Sequence, residues 1–133
     1  MTVQYPDLAD YLAIAAEVTG LDLKVLSAST NLDLADSALH APSAGFGVEE
    51  FYPDFCEKAG VLLVRIAKNH PLIDGNKRAA WVTLRLFVEI NAWRWTDYPS
   101  TEEAERAVLA VASGEWNEID AASWLRKRIE PPE

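Results

Sequence analysis

The sequence contains only one cysteine, Cys56, among its 133 residues, so no disulfide can form within the chain. Disulfides are common in secreted domains and rare in reducing compartments. A single cysteine in a chain of this length is typical of a protein that folds without covalent cross-links. We expect Cys56 to be a small core residue rather than a nucleophile, because free cysteine is among the most buried residue types.

Long apolar runs are also missing from the sequence. A helix that crosses a bilayer needs about 20 predominantly apolar residues, and no stretch of the chain approaches that length. The first residues lack the basic start and apolar stretch of a secretory signal peptide. We therefore expect a cytoplasmic protein.

Cations are scarce: 12 lysines and arginines face 21 acidic residues, which gives a net charge of −9. This balance disfavours a DNA-binding regulator, because nucleic-acid binding depends on neutralisation of phosphates by basic side chains. Residues 65–85 are the exception, with a net charge of +4, while the rest of the chain sums to −13. One basic region in an acidic protein suits a small anion such as a nucleotide.

Strand patterns, repeats and low-complexity segments are absent, whereas apolar residues recur at helical spacing through most of the chain. The pattern predicts an all-α fold of about six to seven helices, and the length suits one domain over residues 1–133. The segment Asn76–Asn91 is apolar on nearly all sides, so we expect it to be the central buried helix. Proline and glycine break helix at 41–47, where we expect either a plain connector or a flap that includes a short hairpin.

The nine residues from His70 to Arg78 hold an imidazole, a carboxylate, a glycine turn, an amide and two adjacent cations. Gly75 and Asn76 stand at the entrance of the predicted helix, where free backbone N–H groups and the helix dipole favour anions. The same residues also fit a structural explanation, since Asp-Gly-Asn is a common turn and a Lys-Arg pair is often simply solvated. The pattern alone leaves both explanations open.

Each side chain of this segment suits a role in phosphoryl or nucleotidyl transfer. His70 could remove a proton from an attacking hydroxyl, because imidazole titrates near neutral pH. Asp74 could hold Mg²⁺, which prefers carboxylate and phosphate oxygens. Asn76, Lys77 and Arg78 could bind ATP phosphates and stabilise the phosphate that is transferred.

The segment His70-Pro-Leu-Ile-Asp-Gly-Asn-Lys-Arg78 resembles the signature of the Fic/Doc superfamily, and its Asn-Lys-Arg ending resembles the Doc (death-on-curing) toxin branch. The upstream segments Ser37–Pro42, Gly45–Gly47 and Arg65–His70 are similar to the same branch. The resemblance implies a Fic/Doc-type helical bundle with the catalytic loop at the N-terminus of its central helix. It also implies that the segment 41–47 is a substrate-binding flap.

The resemblance carries functional implications. It implies a toxin of a type II toxin–antitoxin pair, silenced by a co-expressed Phd-like antitoxin. It implies a protein kinase that uses ATP and Mg²⁺ to phosphorylate a serine or threonine of a translation factor, with elongation factor Tu as the expected substrate. His70, Asp74, Asn76 and Arg78 would be the catalytic residues, Asp74 the metal ligand, and Gly75 to Arg78 the nucleotide-binding residues.

At two positions the segment differs from residues that are usual in the family. Fic enzymes that transfer AMP usually carry glycine at the position of Lys77, and a lysine side chain would fill the space that their nucleotide phosphates use. We therefore expect γ-phosphate transfer, with AMP transfer or an inactive binding module as the alternatives. Leu72 stands where the family usually has phenylalanine, and we expect it to anchor the loop in the core.

Overall fold

The computed structural model describes residues 2–133, which form seven α-helices, a 3₁₀ turn and two small antiparallel sheets. The helices are α1 (Leu8–Thr19), α2 (Leu23–Ser29), α3 (Leu32–His40), α4 (Phe55–Asn69), α5 (Asn76–Ile90), α6 (Thr101–Ser113) and α7 (Glu118–Arg126). The strands are β1 (Gly45–Phe46), β2 (Glu49–Glu50), β3 (Arg94–Trp95) and β4 (Ile129–Glu130), and the 3₁₀ turn is Ala41–Ser43. The predicted all-α class is confirmed, because each strand has only two residues. None of these helices combines the length and the apolar character that a membrane span requires within residues 2–133.

Short polar side chains fix where most of the helices begin. In six of the seven helices, the residue before the first turn accepts a hydrogen bond from a backbone N–H of that turn. These residues are Asp7, Asp22, Asn31, Asp54, Ser100 and Asn117. Each such cap stabilises its helix by roughly 1 kcal/mol. Glycines in the left-handed conformation, Gly20 and Gly114, end α1 and α6.

The central helix of the bundle is α4. Eleven of its fifteen residues are buried, and it packs against α3, α5, α6 and α7. Gly60 permits a close crossing with α7, because a Cβ at this position would lie 2.8 Å from the backbone nitrogen of Ala122. The prediction that the Asn76–Asn91 helix is the central one is therefore corrected: that helix forms at the predicted place, but α4 holds the centre.

The neighbouring helix α5 buries one side and leaves the other partly exposed. Its buried residues are Ala79, Ala80, Thr83, Leu84, Phe87 and Val88. Phe87 stacks on Phe55 of α4, with ring centroids 4.7 Å apart, and on Tyr5 at 5.7 Å. Trp81 and Val82 lie on the other side and form a wall of an open groove. Apolar residues around the whole helix therefore reflect two different surfaces, a core and a groove.

A hairpin forms where the flap is predicted. Strands β1 and β2 pair with Gly45 opposite Glu50 and Phe46 opposite Glu49, so the hairpin overlaps the segment 41–47 and continues past it. A second pair, β3 with β4, joins the segment after α5 to the end of the chain. This second pair was not predicted, because two-residue strands have too few positions to show an alternating pattern.

Candidate functional site

The segment 70–78 connects the two helices α4 and α5. His70 ends α4 in the left-handed conformation, with φ of 46° and ψ of 55°. Only one other non-glycine residue among those described, Ala92, has a positive φ. This conformation disfavours residues with a Cβ and is often found at functional sites. The His70 side chain is exposed to solvent, so it is accessible to a substrate.

Backbone and side-chain contacts hold the start of the loop against α3. The carbonyl of Pro71 accepts a hydrogen bond from the N–H of Asn31 at 2.8 Å. The Asn69 side chain donates to the carbonyl of Leu34 at 3.0 Å. Leu72 is 5% exposed and belongs to the hydrophobic core. Leu72 thus anchors the loop as expected.

Asn76 closes the loop on itself. Its Oδ1 accepts from the N–H of Leu72 at 2.9 Å, and its Nδ2 donates to the carbonyl of Leu72 at 2.8 Å. Both polar atoms of the Asn76 amide are therefore used within the loop. One N–H of Nδ2 is not used in these two bonds, so Asn76 shapes the loop while its expected contact with a phosphate stays a prediction.

Gly75 is favoured by its backbone conformation, and its surroundings are tight. Its φ is 82°, and a Cβ would lie 3.2 Å from the Cγ2 of Thr19 and 3.4 Å from the Cγ1 of Val18. The backbone N–H of Gly75 donates to Oδ1 of Asp74 at 2.8 Å. This turn brings the exposed Asp74 carboxylate next to the first residue of α5.

The N-terminus of α5 differs from the other six helix starts. No side chain among residues 2–133 caps it, because the capping position is occupied by Gly75. The first backbone N–H groups of the helix are therefore available to an external acceptor. Lys77 and Arg78 are exposed in the same turn. Free N–H groups, the helix dipole and two cations together make a suitable place for a phosphate group.

A groove of about 730 Å³ runs beside this turn, between α5 and α6. Its lining residues are Lys77, Arg78, Trp81, Val82, Arg85, Tyr98, Pro99, Ser100, Thr101, Ala104, Glu105, Val108 and Leu109. Its volume falls within the usual range of small-molecule sites. The groove meets the segment 70–78 at Lys77 and Arg78, whereas His70 and Asp74 belong to the loop that precedes α5.

Comparisons with known proteins agree with this geometry. Residues 5–88 match the model of the Fic/DOC family. The chain is also similar to Toxin Doc of Mycolicibacterium smegmatis (strain ATCC 700084 / mc(2)155), with 34% identity over 110 residues that cover 83% of this chain and 82% of that protein. The chain belongs to the Fic/DOC family. The range matched to the family includes the whole segment 70–78 and all but the last two residues of α5.

The Fic/DOC match ends before one wall of the groove. Helix α6 begins at Thr101, outside residues 5–88. The α5 wall carries three cations, Lys77, Arg78 and Arg85, and the guanidinium of Arg85 lies 5.5 Å from the centre of the Tyr98 ring. Arg85 and Tyr98 were not predicted as site residues. Arg85 follows Arg78 by seven residues, which places both on one face of α5, whereas Tyr98 reaches the groove only through tertiary packing.

A metal ion at the segment 70–78 would depend on one protein carboxylate. Within residues 2–133, no group of three or more His, Cys, Asp or Glu side chains is arranged to hold a metal. Asp74 is exposed, and its Oδ1 accepts a hydrogen bond from the N–H of Gly75. Its Oδ2 accepts no hydrogen bond within this turn. One carboxylate fits Mg²⁺ shared with nucleotide phosphates, since Mg²⁺ is often held by one or two carboxylates plus phosphate oxygens and water.

Lys58 is a further residue that the sequence reasoning missed. It is 1% exposed, and its Nζ lies 2.8 Å from Oε1 of Glu50 on β2. Burial disfavours the ammonium, but Glu50 and Tyr5 outweigh that effect and raise the pKa of Lys58 above its ordinary value. A signal was present in the sequence: Lys58 follows Phe55 by three residues and precedes Leu62 by four, which places it on the buried face of α4.

Proposed function

We propose that the protein is a toxin of a type II toxin–antitoxin pair and that it acts as a Doc-like serine/threonine protein kinase. It would transfer the γ-phosphate of ATP to a hydroxyl of a translation factor, with elongation factor Tu as the proposed substrate. The observation that carries this proposal is the uncapped N-terminus of α5 with Lys77 and Arg78 in its first turn. The similarity to Toxin Doc of Mycolicibacterium smegmatis supports the toxin part.

Phosphate binding is the task of the α5 N-terminus in this proposal. The free N–H groups of the first turn and the helix dipole would stabilise the negative charge of the transferred group. Arg78 could donate two parallel hydrogen bonds to phosphate oxygens, which a lysine cannot do. Asn76 would contribute by holding the loop, since both of its polar atoms bind Leu72.

His70 is the proposed general base. Its exposed imidazole would accept the proton of the serine or threonine hydroxyl as that oxygen attacks phosphorus. The fixed left-handed conformation of His70 and the neighbouring bond between Pro71 and Asn31 hold the loop from which it acts. Fixing the base in advance reduces the rearrangement needed during the reaction.

Asp74 is the proposed metal ligand. Mg²⁺ bound there would neutralise charge on the nucleotide phosphates. Asp74 itself is positioned by the N–H of Gly75, because that hydrogen bond fixes one carboxylate oxygen. The glycine conformation permits this turn, and a Cβ at this position would be strained and in tight contact with Thr19.

Lys77 is the residue that favours γ-phosphate transfer over AMP transfer. Its long side chain is exposed at the helix start and lines the groove. A lysine there occupies space that a glycine would leave open to the α- and β-phosphates. AMP transfer is therefore the alternative reaction, and an inactive binding module is the alternative without a reaction.

The hairpin at 45–50 is proposed to contact the protein substrate. Lys58 of α4 donates a hydrogen bond to Glu50 of the hairpin. It precedes His70, the residue directly after α4, by twelve residues. Twelve residues rise about 18 Å along a helix. A protein substrate is large enough to contact both the hairpin and the proposed general base. The proposal also includes an inhibitory Phd-like antitoxin and a cytoplasmic location, because ATP and elongation factor Tu would be available there.

The test is a labelling experiment with cell extract and the purified protein. Two reactions contain ATP labelled at the γ-phosphate or at the α-phosphate, with Mg²⁺. We expect label on a protein only from the γ-labelled ATP. Arg78→Ala should remove the transfer, and the matched control Arg106→Ala, an exposed arginine on α6, should retain it. Transfer from the α-position alone would support AMP transfer, and no transfer from either would support a binding module.

A further inference from the structure

A single buried ammonium joins three separate parts of the chain to α4. The Nζ of Lys58 donates to Oε1 of Glu50 on β2 at 2.8 Å and to the carbonyl of Pro42 in the 3₁₀ turn at 3.3 Å. It also lies 5.8 Å from the centre of the Tyr5 ring, near the start of the chain. A buried cation is unfavourable unless it has partners. The arrangement therefore couples the charge of Lys58 to the placement of the hairpin.

The hairpin has few other attachments. All four of its strand residues are exposed. Phe46 and Val48 are 83% and 101% exposed, so apolar burial does little to hold them. Among residues 2–133, the Lys58–Glu50 contact is the only hydrogen bond or ion pair that joins residues 45–50 to a residue outside 44–51. A two-stranded hairpin is marginally stable on its own.

We propose that Lys58 is a positioning residue whose bonds to Glu50 and to the carbonyl of Pro42 hold the hairpin 45–50 in the orientation in which it contacts the protein substrate. The contact between hairpin and substrate rests on the proposed function. The attachment of the hairpin through Lys58 does not depend on that function. Lys58 belongs to α4, and the proposed general base His70 follows the last residue of the same helix. One rigid helix therefore connects the attachment of the hairpin with the general base.

The first measurement is hydrogen exchange of the hairpin amides in the free protein. Glu50→Ala removes the partner of Lys58 at a half-exposed position, and Lys58→Met removes the charge while keeping an unbranched side chain. Exchange of residues 45–50 should accelerate about tenfold in each variant, as expected for the loss of a charge-assisted hydrogen bond. The double variant should exchange no faster than the faster single variant, because both changes break the same bond.

Two controls distinguish this role from general loosening. Glu49→Ala removes the adjacent hairpin carboxylate, and Arg65→Gln breaks the other ion pair of α4, between Arg65 and Glu118. Both controls should leave hairpin exchange unchanged. Glu50→Gln keeps an oxygen acceptor for Lys58 and should restore most of the protection. If Lys58→Met does not fold, Glu50→Ala still decides the question, and unchanged exchange in that variant would overturn the proposal.

The second measurement separates positioning from mere stability. With purified protein substrate, Glu50→Ala should raise the KM for that substrate about tenfold, while kcat and the KM for ATP stay within about twofold. A loosened hairpin with an unchanged KM would overturn the positioning role. If the unaltered protein transfers no phosphate while hairpin exchange responds as described, the proposed kinase function fails and the attachment through Lys58 stands.

Discussion

Replacing Asn76, the first residue of α5, with alanine directly tests the structure of the preceding loop 70–75. In the folded protein the Asn76 amide makes two hydrogen bonds to the backbone of Leu72, at 2.9 Å and 2.8 Å. Alanine removes both, and it leaves the N–H and the carbonyl of Leu72 without these partners. The change preserves the start of α5, because alanine favours helix.

The expected magnitude follows from the number and kind of the bonds. A neutral hydrogen bond contributes about 0.5–1.5 kcal/mol, so two contribute about 1–3 kcal/mol to the free energy of unfolding. The higher helix propensity of alanine offsets a few tenths of a kcal/mol of that loss. A comparison variant, Asn69→Ala, removes a single exposed bond to the carbonyl of Leu34 at 3.0 Å. It should lose about half as much.

The assay is a urea titration of each variant beside a measurement of ATP affinity. We expect Asn76→Ala to lose about 1–3 kcal/mol and to lose phosphate transfer with it. Asn76→Asp keeps an acceptor for the Leu72 N–H but loses the donor, so its stability should fall in between. A loss below about 0.5 kcal/mol, together with weakened ATP binding, would refute the loop-closing role and favour a direct phosphate contact.

Four further predictions concern the site and the core. His70→Ala should reduce transfer by about 10²–10⁴-fold without a change in folding, and near-normal turnover would contradict the assignment of the base. Asp74→Asn should shift the dependence of activity on magnesium concentration, because an amide is a poorer ligand for a hard cation; an identical curve would place the metal elsewhere. Phe87→Ala should lower the free energy of unfolding by about 3–5 kcal/mol, measured by denaturant titration, since its ring is fully buried. Hydrogen bonds from Ser100 and Arg128 lower the pKa of Glu103 from 4.5 to about 2, so its stabilisation should be present above pH 4.5 and be lost as the pH falls towards 2. Unfolding curves of Glu103→Gln and the unaltered protein, compared across that range, measure the loss.

The helix boundaries could be predicted because local residues determine them. Asp7 and Asn31 are of residue types that favour helix starts, and both cap their helices, α1 and α3, through their side chains. A proline disfavours helix at the residue before it, and α4 ends at Asn69, two residues before Pro71. Capping oxygens and proline act within one turn, so these signals do not depend on the rest of the fold.

The central helix was predicted incorrectly because packing is not local. Periodicity shows that α5 is apolar on nearly all sides, but it does not show that one of those sides lines a groove against α6. Conversely, the spacing of Lys58 places it on the buried face of α4, but a lysine is rarely buried unless it is paired, so its residue type argued against burial. Its partner Glu50 is eight residues away on a hairpin whose two-residue strands leave no pattern.

Within the site, the sequence predicted the turn before α5 but not the contacts that hold the loop. The motif indicated that a glycine turn precedes a helix, and Gly75 does precede α5 with a positive φ. The two bonds of Asn76 to Leu72 depend on the loop conformation, which the motif does not specify. The groove residues Arg85 and Tyr98 come together only after α6 packs on α5.

The most direct test of the central claim is the position of the transferred label on purified elongation factor Tu. With the unaltered protein, we predict label from γ-labelled ATP on a serine or threonine and none from α-labelled ATP. Lys77→Gly should weaken this reaction and open the site to the α-phosphate, while Arg78→Ala should impair transfer in either orientation. Transfer of the α-label by the unaltered protein, with none from the γ-position, would contradict the account and establish AMP transfer instead.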